Sequence, residues 1–173
     1  MITTNVDKFI QDTKLKQTSV YPVVIINSDK MLQGESINIS TIRESIKNTS
    51  EDDSTLLNFQ DYNLKISNIK ESIDIKKRAI KISNLNLTLS NYEVDRARLS
   101  DRLQDLINSS VLVYYKTQSC VTLEDCLKIY TGKLRKISFD RDKVKIQLED
   151  DTQSRLHKKV PIANLGNSDT IYN

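Results

Sequence analysis

Ile129-Tyr130-Thr131-Gly132-Lys133-Leu134-Arg135-Lys136-Ile137, a polar turn at Asp140-Arg141-Asp142-Lys143, and Val144-Lys145-Ile146-Gln147-Leu148 together decide the fold. Val144, Ile146 and Leu148 alternate with polar residues at the two-residue period that puts one face of a strand in a core and the other in water. Tyr130, Leu134 and Ile137 stand against Ile129, Thr131, Lys133 and Arg135 in the segment before, so the two read as a β-hairpin. Gly132 interrupts the first strand, where a bulge or a close backbone approach is expected.

Working outward from this hairpin, the region from Leu64 to Leu148 holds further strands. Leu64, Ile66, Ile69, Ile73 and Ile75 alternate in pairs, with a change of phase between Ile66 and Ile69. Ile80, Ile82, Leu85, Leu87 and Leu89 do the same, with the slip at Ser83-Asn84. Two strands with matching slips, joined at Lys76-Lys77-Arg78, predict one bent hairpin that curls the sheet toward a barrel. Val111 to Lys116 is another strand, continued from Leu127. Leu99, Leu103, Leu106 and Ile107 fall at helical spacing with Ser100 as a cap, and Thr122-Leu123-Glu124-Asp125 reads as a self-capping turn.

Before Leu64 the pattern is thinner. Val6, Phe9, Ile10 and Leu15 approximate one face of a short helix with Asn5 at its cap. Val20-Tyr21-Pro22-Val23-Val24-Ile25-Ile26 is a buried-strand signal, with Pro22 placing its start at a sheet edge or outside pairing. Ile37 and Ile39 alternate with polar residues, Thr41 to Lys47 is read as turning helical, and the stretch from Asn27 to Asp53 is expected to be mobile or to be ordered by a neighbour. The organisation expected is 1–53 as helix, first strand and flexible loop, 54–162 as the β domain, and 163–173 as a linker toward a further domain. The fold class is mainly β, a barrel or sandwich with one or two short helices.

The chain has 173 residues, 38% of them hydrophobic and 28% charged, a composition that supports a packed core without disulfides. Its three glycines cannot build a phosphate-binding loop. With 26 Lys and Arg against 23 Asp and Glu, the net charge of +3 names no polyanionic partner by itself. No secretory leader precedes Asp7 and Lys8, and no apolar run approaches the ~20 residues that span a bilayer, so no membrane insertion is expected.

The chemistry-bearing residues do not form a constellation. His157 is the single histidine and lies in a Lys-rich stretch without a nucleophile beside it. Cys120 and Cys126 are spaced C-x5-C, which fits neither a zinc knuckle nor a redox pair, and free packed thiols are expected. Glu149-Asp150-Asp151 is more economically a helix cap than a cation site. No catalytic, cofactor-binding or metal residue is assigned, and the chain is not expected to be an enzyme. Tyr114, Tyr115 and Tyr130 with Lys116, Lys128 and Lys133 have the interleaving of single-strand-binding barrels. Adjacent Tyr114 and Tyr115 would have to face opposite ways.

Three segments carry a resemblance. Ile82-Ser83-Asn84-Leu85-Asn86-Leu87-Thr88-Leu89-Ser90-Asn91, Val111-Leu112-Val113-Tyr114-Tyr115, and the hairpin ending in Val144-Lys145-Ile146-Gln147-Leu148-Glu149-Asp150 resemble the N-terminal part of tail hub and tail tip proteins of tailed bacteriophages. The match runs from about Leu64 to Ile162. The resemblance implies a tube-type β-barrel that assembles as a homotrimer, alternatively a hexamer, in the virion tail, after folding in the host cytoplasm. It also implies partners among the tube, spike or fibre proteins, no cofactor, and DNA only in transient passage through a lumen where Asp and Glu should outnumber Lys. A chain ending at Asn164 to Asn173, where relatives continue, reads as part of a longer protein. A single-stranded nucleic-acid-binding barrel is the alternative.

Overall fold

In the computed structural model, which describes residues 7–28, 31, 36–49, 55–68, 71–74, 79–82, 84–94 and 96–150, the decisive hairpin is present. It pairs β12 (Leu127–Phe139) with β13 (Lys143–Asp150), and the Asp140 N–H closes its turn on the Lys143 carbonyl at 2.8 Å. Arg135 is the extra residue of a bulge between Leu134 and Lys136, so a bulge lies in this strand but not at Gly132. Gly132 serves close approach instead. A Cβ there would stand 2.3 Å from the Glu149 carbonyl oxygen and 2.7 Å from the Tyr130 ring.

The other strands in chain order are β1 (Tyr21–Asn27), β2 (Ile37–Ser40), β3 (Glu44–Lys47), β4 (Leu56–Asp61), β5 (Lys65–Ile66), β6 (Glu71–Asp74), β7 (Ala79–Ile82), β8 (Leu85–Ser90), β9 (Glu93–Val94), β10 (Ala97–Arg98) and β11 (Ser110–Lys116). Nine of the thirteen described strands form one mixed sheet in the order β3-β4-β2-β1-β11-β12-β13-β8-β5. The bent hairpin expected from the matching slips is there. Lys65 pairs with Thr88 and Ile66 with Leu87, then Glu71 with Ile82 and Asp74 with Ala79, and each pair of numbers adds to 153. The β5–β8 pair and the separate β6–β7 ribbon therefore share one register. Its turn at Lys76-Lys77-Arg78 lies outside the described residues.

The sheet closes on itself through one bent strand. β4 lies parallel to β2, and after Tyr62, Asn63 and Leu64 the same stretch continues as β5 beside β8. At the bend the Tyr62 N–H donates to the Ser40 carbonyl at 3.4 Å, and the Tyr62 carbonyl accepts the Ser90 N–H at 2.7 Å. Asn63, with φ of 51°, takes the left-handed conformation that turns the corner. Closure explains why inward residues of β2 (Ile37, Ile39), β1 (Val24, Ile26), β13 (Val144, Ile146, Leu148) and β8 (Leu85, Leu87, Leu89) share one buried cluster.

Several expectations change. Asn27 to Asp53 contributes β2 and β3, and Thr41 to Lys47 is partly strand, not helix. β1 sits between β2 and β11 in the sheet interior, with Pro22 opposite Tyr115 but beyond the last pair with β2, Val23 with Ser40. The helix α1 (Asp7–Thr13) buries Phe9 and Asp12, whereas Ile10 is 43% and Leu15 61% exposed. The helix α2 (Leu99–Leu103) begins one residue before Ser100, its first turn receiving the Arg98 N–H on the Asp101 carboxylate at 3.2 Å. Leu99, Leu103 and Leu106 enter the main cluster, so α2 packs into the core of the barrel.

Candidate functional site

A second buried cluster lies on the other side of β1 and β11, where Val23, Ile25 and Tyr114 meet Phe9, Ile46, Phe59, Leu123 and Cys126. The extra residue Ile129 in the ladder between β11 and β12 shifts the register at Val113 and Tyr114. Tyr114 is 7% exposed in this cluster, Tyr130 is 4% exposed in the main one, and Tyr115 packs partly buried beside Tyr114. No base can stack on Tyr114 or Tyr130 as they stand.

Polar side chains run through this second layer. The Lys116 ammonium donates to the Tyr21 hydroxyl at 2.6 Å and the Thr117 carbonyl at 3.2 Å, and it lies 3.2 Å from the Glu44 carboxylate. The Tyr21 hydroxyl in turn donates to Glu44 at 3.1 Å. Burial works against the Lys116 charge, but the hydrogen bonds to Tyr21 and Glu44 outweigh it and lift the lysine above its ordinary value. A nucleophilic lysine needs the opposite shift and a free electron pair, so this group is a structural cation.

Nearby, Asp12 accepts the Ser119 N–H at 3.1 Å and the Ser119 hydroxyl at 2.7 Å, and hydrogen bonds from Thr117 first and Ser119 next hold its carboxyl below the usual range. Asp125 receives the Thr122 N–H and hydroxyl, each at 3.0 Å, and the Lys8 ammonium at 3.2 Å. The self-capping turn Leu123–Asp125 is thus also the dock for α1. Cys120 and Cys126 are free and buried, and burial pushes the Cys126 thiol up, away from thiolate chemistry. Sequence reasoning missed this layer because its partners are as much as 117 residues apart.

The acidic run of the sequence does not converge. Glu149 points outward and is bonded to Arg135, whereas Asp150 is buried opposite Gly132 on the other face of β13. Asp151, His157 and 163–173 lie outside the described residues. Among the described residues no three His, Cys, Asp or Glu side chains stand together as metal ligands, and no helix is long and apolar enough to cross a membrane.

What the barrel offers instead is surface. On the β11 side of β12, pairing ends where Leu134 exchanges hydrogen bonds with Asn108 and Ser109, at 2.8 and 3.0 Å. From Arg135 to Phe139 that edge has no partner strand among the described residues, and Phe139 at its end is 55% exposed. β3 forms the other long edge, with a single bridge from Lys47 to Thr122. No protein-family model matches the chain, and no curated protein is significantly similar to it.

Proposed function

We propose that the chain is a structural component of a bacteriophage tail, a hub or tip protein whose β-barrel assembles into a ring joining the tail tube to a spike or fibre. The observation that carries this reading is adjacency. The segments that bear the resemblance, dispersed from Ile82 to Asp150, become β8, β11, β12 and β13, and these are four consecutive strands of the sheet. That the resemblance falls on one contiguous wall of the barrel, and not on scattered strands, is what supports the reading.

The open half-edge of β12 supports the same reading. Soluble monomers blunt or cover such edges, and closure between subunits is one way of covering them. The buried polar layer is spent on internal contacts, which suits a scaffold. The single-strand-binding alternative loses its stacking platform with Tyr114 and Tyr130 in the two cores.

The test is the mass of the purified chain by light scattering across concentration. A trimer or hexamer is expected to grow in with concentration. A monomer throughout, with no incorporation when mixed with tail tube protein, overturns the proposal. An acid-rich lumen wall requires the ring to turn the outward face of β12 and β13, which is basic, away from the bore.

A further inference from the structure

That outward face is polar and predominantly basic. Because Val144, Ile146 and Leu148 point into the core, Lys143, Lys145, Gln147 and Glu149 point out, and the ladders extend the pattern sideways. One row runs Ser138, Lys145, Thr88 and Lys65 across β12, β13, β8 and β5. The next runs Lys136, Gln147 and Asn86, and the Ser67 hydroxyl accepts the Asn86 N–H at 3.0 Å beyond it. Asn86, Thr88, Lys136, Lys145 and Gln147 line a shallow depression of about 210 Å³ between the rows.

The charge is concentrated here. Lys65, Lys133, Arg135, Lys136, Lys143 and Lys145 are all exposed on this face, against two acids in its rows, Glu149 and, opposite Lys143 at the hairpin end, Asp140. The face thus carries +4 while the whole chain carries +3, which leaves the rest at −1. Within the two central rows Lys65, Lys136 and Lys145 have no acidic cross-strand neighbour, and the remaining positions are amides and hydroxyls.

We infer that this face binds a nucleic-acid backbone through its phosphates. Lysines interleaved with Ser, Thr, Asn and Gln donors are the set that contacts phosphate and sugar oxygens. The same set is wrong for a protein partner, whose contact surface is enriched in aromatic, Met and Arg side chains and depleted in Lys and Ser. Strands stand about 4.8 Å apart and outward rows about 6.8 Å apart, which gives a grid of cations that an extended backbone follows without base contacts. With no aromatic side chain in the rows, binding is independent of sequence and nearly indifferent to strandedness.

The experiment is fluorescence anisotropy of a labelled mixed-sequence duplex, and of its single strand, titrated with the full chain over a range of salt. The expected slope of log affinity against log salt is roughly −3 to −4 for the duplex, the value for about four neutralised phosphates. Lys136→Glu with Lys145→Glu should weaken binding roughly a hundredfold at low salt and flatten the slope by about 2. Lys14→Glu with Lys16→Glu, an equal charge change on the exposed segment after α1, should change both little. Should the reversal impair folding, Lys136→Ala with Lys145→Ala reads the slope change alone. Absence of binding at low salt, an equal loss in the Lys14 and Lys16 variant, a strong preference for single strands, or displacement by polyglutamate as effective per charge as by duplex would each overturn the inference, the last in favour of an acidic protein. The readout is affinity and not mass, so the ring proposal stands or falls separately.

Discussion

The Lys116 ammonium donates to the Tyr21 hydroxyl across 2.6 Å, joining β11 to β1 with Glu44 of β3 as the shared counter-charge. Removing the cation by Lys116→Met should cost about 3 kcal/mol, the low end for breaking a buried pair, because Glu44 keeps some contact with water. The pH dependence has a definite sign. Hydrogen bonds to Tyr21 and Glu44 hold the folded Lys116 above its ordinary value despite burial, and burial also raises Tyr21, so the native state keeps protons that the unfolded chain releases. The stability they contribute is complete below about pH 10 and is lost as pH rises through the folded values. Urea midpoints measured from neutral to strongly alkaline pH should fall in that window, and Lys116→Met should flatten the fall. An unchanged alkaline slope in the variant would exclude Lys116 as its source.

Gly132 lies against the Glu149 backbone so closely that a methyl group there would meet the carbonyl oxygen at 2.3 Å. A backbone oxygen cannot swing away as a side chain can, so β12 and β13 must separate locally. Gly132→Ala should destabilise by about 3 kcal/mol, the upper range of overpacking. Chemical denaturation reads the loss, and a cost below half of that would show that the strands yield cheaply.

This glycine also illustrates what the sequence disclosed. A lone Gly within an alternating strand announced a close approach or a bulge, and the structure contains the approach at Gly132 and the bulge three residues on, at Arg135. The β12–β13 hairpin, the bent hairpin with its slips and the turn Leu123–Asp125 were legible because their partners are close in the chain and their side chains alternate. β4 and β3 were not. Only Phe59 of β4 and Ile46 of β3 are buried, so neither carries a periodic signal, and both owe their pairing to neighbours elsewhere in the sheet. The Lys116 layer was invisible for a related reason. Nothing in the sequence relates Tyr21, Glu44 and Lys116 until topology brings three strands into one layer.

Tyr62 holds the barrel closed with both its backbone groups, and its ring, 1% exposed, lies 5.2 Å from that of Tyr92. Tyr62→Ala removes the ring while leaving the backbone bonds possible, so it asks how far packing maintains the closure. The expected cost is about 3 to 5 kcal/mol, as for other large aromatic truncations in a core. Hydrogen exchange should localise the effect, with the Ser90 amide losing more protection than the amides of β11 and β12. Uniform loss across the sheet would mean that the seam is no weaker than the rest of the barrel.

Phe139 marks the end of the open half-edge of β12, and assembly and stability should separate there. At 55% exposure its ring contributes little to the monomer, and Phe139→Asp should shift the unfolding free energy by no more than about 0.5 kcal/mol, as surface substitutions usually do. If rings form through this edge, the same change sets a charge where the next subunit packs and should move the monomer-to-oligomer midpoint to at least tenfold higher concentration. Ile10→Asp on α1 is the matched control, being an apolar residue of 43% exposure on a helix outside the β12 edge. Light scattering on both variants decides the matter, since equal weakening would place the contact elsewhere and unchanged assembly by Phe139→Asp would remove the β12 edge from the ring interface.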